Sequence, residues 1–334
     1  MDHKHWYEVA RADPAATFFQ TPLWSEISCD VLGATSDFTR SFELESGVRV
    51  VVPLVGVGRP GPMRHVISTA TGCYGGLIAD GPVSPDEATQ VYLRVMSRST
   101  LSFQFLESPL RQYRLGPEFT AHATARPESA WLIDLEDGFD AAYQRMPRRI
   151  REYHRSGIRK GVSVSESDSL ADYRSAFDAY QDAILRWGES LDYGYGWEVF
   201  ERIHAAARLH PDLIKMWIAR VDGEVAGGRL VFYWNRHAVL WHGTARREFL
   251  KYRVIPIADI EVMRDAAARG YSVYDLNTSG DQPQVVEYKR RMGASDTPLQ
   301  IWRRESPVVR LGRGGKRAGR VVARSLRSVA RKAH

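Results

Sequence analysis

The sequence predicts an α/β protein of the α+β kind, with mixed sheets and more than one domain. Three observations carry that expectation. Short runs at strand period alternate with longer amphipathic stretches along most of the chain. A three-strand meander, IKMWIARVDGEVAGGRLVFYW and then HAVLWHGTA, leads through a helical stretch to a fourth strand, YSVYDLN. That order mixes antiparallel neighbours with a crossover connection. Finally, 334 residues exceed a single ordinary domain, for which roughly 100–200 residues is the usual size.

Taken in order, the WYEVARAD region reads as a helix, and a second helix follows Thr21-Pro22 with proline at its first position. Phe38 to Leu44 and Val48 to Val57 form a strand pair across Glu45-Ser46-Gly47. Ser84 caps a helix to about Arg98, with Asp86 and Glu87 favourably placed in its first turn. LSFQFLES alternates at strand period, and RPES (Arg126 to Ser129) reads as a linker. The chain then divides into an expected first domain, 1–130, a second, 131–305, and a tail, 306–334. In the second domain WLIDL is a strand, Gly138 to Ser156 a helix restarting at Pro147, and Gly161 to Glu166 a strand. Helices follow over Leu170 to Gly188 and Trp197 to Leu209. The meander turns at Asp222-Gly223, a pair suited to two-residue hairpins. A helix ended by Gly270 then delivers the last strand.

Composition excludes several classes. No run of about 18 apolar residues exists to span a membrane, and MDHKHWYEVARADP lacks the apolar core of a secretory leader. Two cysteines, Cys29 and Cys73, make neither a disulfide scaffold nor a zinc site, so a cytoplasmic protein without bound metal is expected. The net charge of +6 is a property of the tail, which holds nine Lys/Arg and no acid; the rest carries 37 basic against 40 acidic side chains. As a helix the tail segregates Arg317, Arg320, Arg324, Arg327 and Arg331 from Val322, Leu326 and Val329. That suits an anionic membrane surface at the inner face or an RNA backbone, and equally a disordered basic segment.

Candidate site residues come from spacing and type. Arg148, Arg151 and Arg155 share one helix face, where guanidinium forks suit phosphate oxygens; a solvated face has the same pattern. Arg149 points elsewhere. Arg186 and Trp187, with Tyr193 and Trp197 across a glycine-broken loop, suit a pocket wall or a packed helix end. Tyr74 and Gly75 offer a close backbone approach to a ligand, or an ordinary turn. His242, between aromatics, fits a structural histidine better than a base. Asp275 and Asn277 alternate on one face at the carboxyl end of the last strand, where α/β crevices collect polar groups, and either can orient an amine.

MPRRIREYHRSGIRKGVSV, ILRWG, VDGEVAGGRLVFYW and YDLNTSG…YKRRMGA occur in an order that resembles the GNAT-type acyltransferases, and the doubled plan resembles the Fem-type family of tandem GNAT-like domains. The resemblance covers most of residues 5–305. It implies transfer of an acyl or aminoacyl group to an amine on a small molecule or envelope precursor, with aminoacyl-tRNA or acyl-CoA as co-substrate and no permanently bound cofactor. The rival enzyme is an acyl-CoA-dependent N-acetyltransferase of an amino sugar or lipid; the rival from another class is an inactive GNAT-like module that binds RNA or membrane. The resemblance points to Lys289 of YKRRMG as the group facing the tetrahedral oxyanion, with Tyr288 beside it at the substrate. One departure stands out: a GNAT protein places a glycine-rich phosphate loop where this chain reads ARREFLKYRVIPIAD, which has no glycine. Arg253 and its basic neighbours Arg246, Arg247 and Lys251 remain as side-chain phosphate ligands.

Overall fold

The computed structural model describes residues 1–59, 63–96, 99–189, 194–280, 282–307 and 309; the arginine face expected in the tail lies outside them. The chain divides into two compact units, Met1–Glu128 with Pro298–His334, and Ser129–Thr297.

The first unit opens with helices α1 (His3–Ala12) and α2 (Pro22–Val31), the second capped by the Thr21 hydroxyl with Pro22 at its start. Strands β1 (Arg40–Glu43) and β2 (Arg49–Val52) pair antiparallel. The expected single strand over Val48 to Val57 is instead two, because Pro53 offers no N–H to a ladder and β3 (Val55–Val57) pairs with β4 (Arg64–Ile67) rather than β1. After β5 (Ile78–Ala79) comes α3 (Pro85–Val95), where Ser84 and Glu87 make a reciprocal capping box. Strand β6 (Thr100–Leu106) and the one-turn helix α4 (Pro117–Thr120) follow. The core is aromatic: Tyr92, Phe103, Phe105 and Phe119 are mutually stacked or tilted and at most 5 % exposed. Each such ring contributes roughly 1.5–3 kcal/mol by leaving water.

The second unit holds a run of six neighbouring strands. Arg126 to Ser129, expected as a linker, lie inside β7 (Ala123–Asp134); the residue before Pro127 is biased to extended backbone, so the strand continues through it. Helices α5 (Gly138–Arg145) and α6 (Arg148–Arg159) break at Pro147 as expected, followed by β8 (Val162–Ser167), α7 (Leu170–Arg186) and α8 (Trp197–Leu209). Strands β9 (Ile214–Val221), β10 (Glu224–Trp234) and β11 (His237–Ala245) form the meander. Asp222 and Gly223 both take positive φ, as the tight hairpin turn requires. Helix α9 (Val254–Ala268) crosses to β12 (Val273–Thr278), which lies parallel to β11. The strand order is β7-β12-β11-β10-β9-β8.

Most of the stretch YKRRMG is helical. Helix α10 (Pro283–Arg291) includes Tyr288 to Arg291, because Pro283 starts a turn that nothing interrupts before Gly293 at φ 81°. The last strand, β13 (Ser295–Glu305), pairs with β6 over Ile301 to Glu305. Pro298 to Glu305 therefore belong to the first unit, whereas the sequence reading closed the second domain at 305.

Candidate active site at the splayed strands

Strands β11 and β12 are hydrogen-bonded only where His237 to Val239 face Val273 to Asp275. Strand β11 then runs on to Ala245, while β12 turns toward β7, meeting Ala130 at Thr278. The parting has a local cause. Asn277 adopts φ 65°, a left-handed conformation that asparagine tolerates, and the ladder is irregular between Asp275 and Thr278. The carboxyl ends of two parallel strands thus open into a cleft, with α9 leaving one and α10 the other. Such openings are where α/β folds receive ligands.

Lys289 reaches the end of β12 from α10. It is 5 % exposed, and its Nζ donates to the carbonyls of Asn277 (2.9 Å) and Thr278 (2.7 Å). An ammonium is thereby held at the splayed end of β12. Asn277 is half-buried, with its side-chain oxygen accepting from the Thr278 N–H (2.8 Å). Asp275 does not share that environment. It is fully buried; one oxygen meets His237 Nε2 at 2.9 Å and the other accepts the Asn277 N–H at 2.6 Å. The expectation that it orients an amine is corrected: Asp275 is buried with both carboxylate oxygens engaged, by His237 and by the Asn277 N–H, so it supports the bend.

Beneath the cleft lies a network that sequence reading missed. Arg229 of β10 and Asp259 of α9, 2 % and 1 % exposed, form an ion pair at 2.7 Å. Arg229 also donates to the carbonyls of Gly228, Thr244 and Ile255. Asp259 accepts the Tyr274 hydroxyl at 3.1 Å and the Tyr288 hydroxyl on its other oxygen. Burial pushes both phenols well above the ordinary tyrosine range, and the Asp259 charge adds to it. Burial opposes the charge on Arg229, but Asp259 outweighs it and keeps the guanidinium protonated. Gly243 is required above this pair: a Cβ there would stand 2.8 Å from the Arg229 side chain. The signal was legible as one arginine in VAGGRLVFYW and one aspartate in IPIADIEVM, charges inside otherwise apolar elements.

The arginine row on α6 is not gathered into one cluster. Arg148, 85 % exposed, pairs with Glu152 at 2.7 Å; Arg151 donates to Gln144; Arg155 is exposed. Arg149, expected to point away, instead lies against Tyr153, the ring that Arg253 of the β11–α9 corner also approaches. Its guanidinium lies 5.4 Å from the Tyr153 ring centre, and Arg253 lies 5.0 Å from the same ring. Gly157 lets α6 approach α9 that closely, since a Cβ would fall 2.1 Å from Ile257.

The aromatic residues fall mainly into packing. Arg186 binds Asp182 (2.8 Å) and the Ala245 carbonyl (3.3 Å), tying α7 to the end of β11. Trp187 is 48 % exposed beside it, and Trp197 packs on Phe177. Tyr193 lies outside the described residues. His242 stands edge-on to Tyr180 at 4.3 Å and to Phe200 at 5.2 Å. Burial, reinforced by the Arg229 charge, pushes its imidazole down from 6.5 to about 3. It stays neutral when the unfolded chain is protonated, so stability should fall as pH drops from about 6.5 toward 3, by up to about 1.4 kcal/mol per pH unit. Urea denaturation of wild type and His242→Phe over that window measures this; equal pH slopes in the two would refute it.

In the first unit Tyr74 is fully buried against Phe19, a core residue rather than a ligand contact. Gly75 does border a small hollow, together with Tyr92, Phe105, Glu107, Arg111 and Tyr113. Burial raises the Glu107 carboxyl above its ordinary range although Trp302 Nε1 and the Gln300 N–H both donate to it. Among the described residues no His/Cys/Asp/Glu group is arranged to hold a metal ion.

Comparison with known proteins bears on the fold and on one segment of the chain. Residues 142–290 match the family profile described as an acetyltransferase (GNAT) domain. FemX has a similar structure, with TM-score 0.70 and 12 % identity over 90 % of this chain and 96 % of FemX. The C-terminal domain of a putative lysylphosphatidylglycerol synthetase from Agrobacterium fabrum aligns with TM-score 0.57 and 11 % identity, covering 94 % of each chain. L-PGS from Bacillus licheniformis aligns with TM-score 0.52 and 10 % identity over 89 % of this chain and 90 % of its own. No curated protein matches the chain in sequence. Residues 142–290, which contain the β11–β12 splay, are similar to a GNAT acetyltransferase domain, and the chain shares its fold with FemX.

Proposed function

We propose that the chain transfers an aminoacyl group from a charged tRNA to an amine on an envelope or metabolite precursor. One observation carries the choice of donor: the corner from β11 into α9. Arg253 sits at the N-cap with φ 60°, and no glycine occurs from Ala245 to Asp259. Pro256 lacks an N–H, and the Ile257 N–H turns back to the Arg253 carbonyl at 3.4 Å. The first turn of α9 therefore offers few backbone donors to a diphosphate. Arginine side chains stand there instead, Arg253 and Arg149 flanking Tyr153. Guanidinium forks on an aromatic support suit an RNA phosphate backbone.

In this reading the neutral amine attacks the donor ester carbonyl in the cleft, and the ammonium of Lys289 stabilises the oxyanion as it forms; collapse of that oxyanion breaks the ester bond, and the amine's proton leaves on the tRNA hydroxyl. Asn277 shapes the rim. The acceptor would be an amine-bearing small molecule or envelope precursor, met at the inner face of the membrane if the basic tail binds anionic lipid. Among the described residues no helix is long and apolar enough to cross a membrane. The second reading, an acyl-CoA-dependent N-acetyltransferase of an amino sugar or lipid, is favoured by the acetyltransferase description of the matched family.

Calorimetry separates the two donors. Coenzyme A should bind no tighter than about millimolar, near −4 kcal/mol. Aminoacyl-tRNA should bind more tightly, with affinity falling as salt rises. Micromolar CoA binding that ignores salt would reverse the assignment.

A further inference from the structure

Helix α10 is anchored in an unusual way. Its one buried side chain is Lys289; Val285, Val286 and Tyr288 are half-buried, and Pro283, Gln284, Arg290 and Arg291 are exposed. The N-cap, Gln282, makes no side-chain cap bond. An amphipathic helix is ordinarily placed by an apolar stripe. This one has little stripe; Met292 packs into the core just past its end. Two polar anchors do the rest. Lys289 reaches the β12 carbonyls of Asn277 and Thr278, and Tyr288 donates to Asp259 on α9. Neighbouring helical residues point about 100° apart, so the two anchors grip α10 from different sides and oppose rotation about its axis.

The Asp259 end of that grip is rigid. Its carboxylate is held by Arg229, which is fastened in turn to Thr244 at the end of β11 and Ile255 in the first turn of α9. The corner of the cleft that receives the donor is thus connected, through one buried ion pair and one phenol, to the helix that carries the ammonium.

We propose that Tyr288 is a positioning residue for Lys289: its hydrogen bond to the Arg229–Asp259 pair sets the rotation of α10 and aims the ammonium into the cleft. The proposal rests on the oxyanion role given to Lys289. Tyr274 supplies the control, because its hydroxyl meets the same carboxylate from β12 and not from α10.

The test uses the full-length protein. Tyr288→Phe should lower kcat about tenfold at unchanged donor KM, and Tyr274→Phe should leave kcat unchanged. In a Lys289→Met background Tyr288→Phe should cost less than twofold more, because a residue that acts through Lys289 has nothing left to position. A second readout needs no donor. In protein labelled with ¹⁵N-lysine, the Lys289 ammonium signal, identified by its loss in Lys289→Met, should exchange with water at least tenfold faster in Tyr288→Phe. In Tyr274→Phe its exchange should be unchanged. Unaltered Lys289 exchange in a folded Tyr288→Phe, or a full tenfold rate loss persisting without Lys289, would overturn the proposal. Should the protein transfer no acyl group from tRNA or CoA, the exchange measurement still decides whether Tyr288 holds Lys289, so the two failures are distinct.

Discussion

Replacement of Lys289 by methionine should lower kcat for acyl transfer about a hundredfold, on the order of 3 kcal/mol, the scale for loss of an oxyanion-hole donor. The charge matters only when the carbonyl oxygen becomes anionic, so donor and acceptor KM should hardly move. The structure adds a second consequence. Lys289 is buried and serves the carbonyls of Asn277 and Thr278. Methionine leaves both without that donor, at a cost of about 1–3 kcal/mol for each that stays dry. A lowered melting temperature should therefore accompany the slow rate. A surface lysine in an ion pair would behave otherwise, losing at most about 1 kcal/mol of stability and nothing in rate. Single-turnover transfer, measured well below the mutant's melting temperature, separates the two. A folded Lys289→Met with wild-type rate would remove Lys289 from the chemistry and leave it a helix anchor.

The largest effect on stability should come from the Arg229–Asp259 pair. Asp259→Ala strands a guanidinium that is 2 % exposed and leaves the Tyr274 and Tyr288 hydroxyls without their acceptor. Breaking one side of a buried pair costs about 3–5 kcal/mol, a large share of the roughly 5–15 kcal/mol that holds a folded protein together. The double variant Arg229→Met, Asp259→Leu removes both charges and should recover much of that loss, because no ion then lacks a partner. Urea denaturation of wild type, the single and the double variant gives the comparison. A single variant with an unchanged midpoint would show that water reaches the pair and screens it.

Local signals in the chain were enough for most elements. The Ser84–Glu87 capping box, the proline starts of α2 and α3, the Asp222-Gly223 turn and the glycine end at Gly270 depend on residues within a few positions of one another. They act before any tertiary contact exists. The position of Lys289 past a strand end was legible for the same reason, through the order of strand, loop and basic cluster. What those signals could not supply was direction. Asp275 sits at a strand end like a crevice residue, yet one bend at Asn277 and a partner 38 positions earlier, His237, turn it inward. Arg149, and not its neighbours in the expected row, shares the Tyr153 ring with Arg253, where two helices cross closely at Gly157. Arg229 finds Asp259 across 30 residues of chain, and only when β10 and α9 are packed do both lose water and need each other. The sequence by itself determined most of the helices and strands and their order. The tertiary structure decided which charges are buried and how they are paired, because desolvation is set by everything packed around a group and not by its neighbours in the chain.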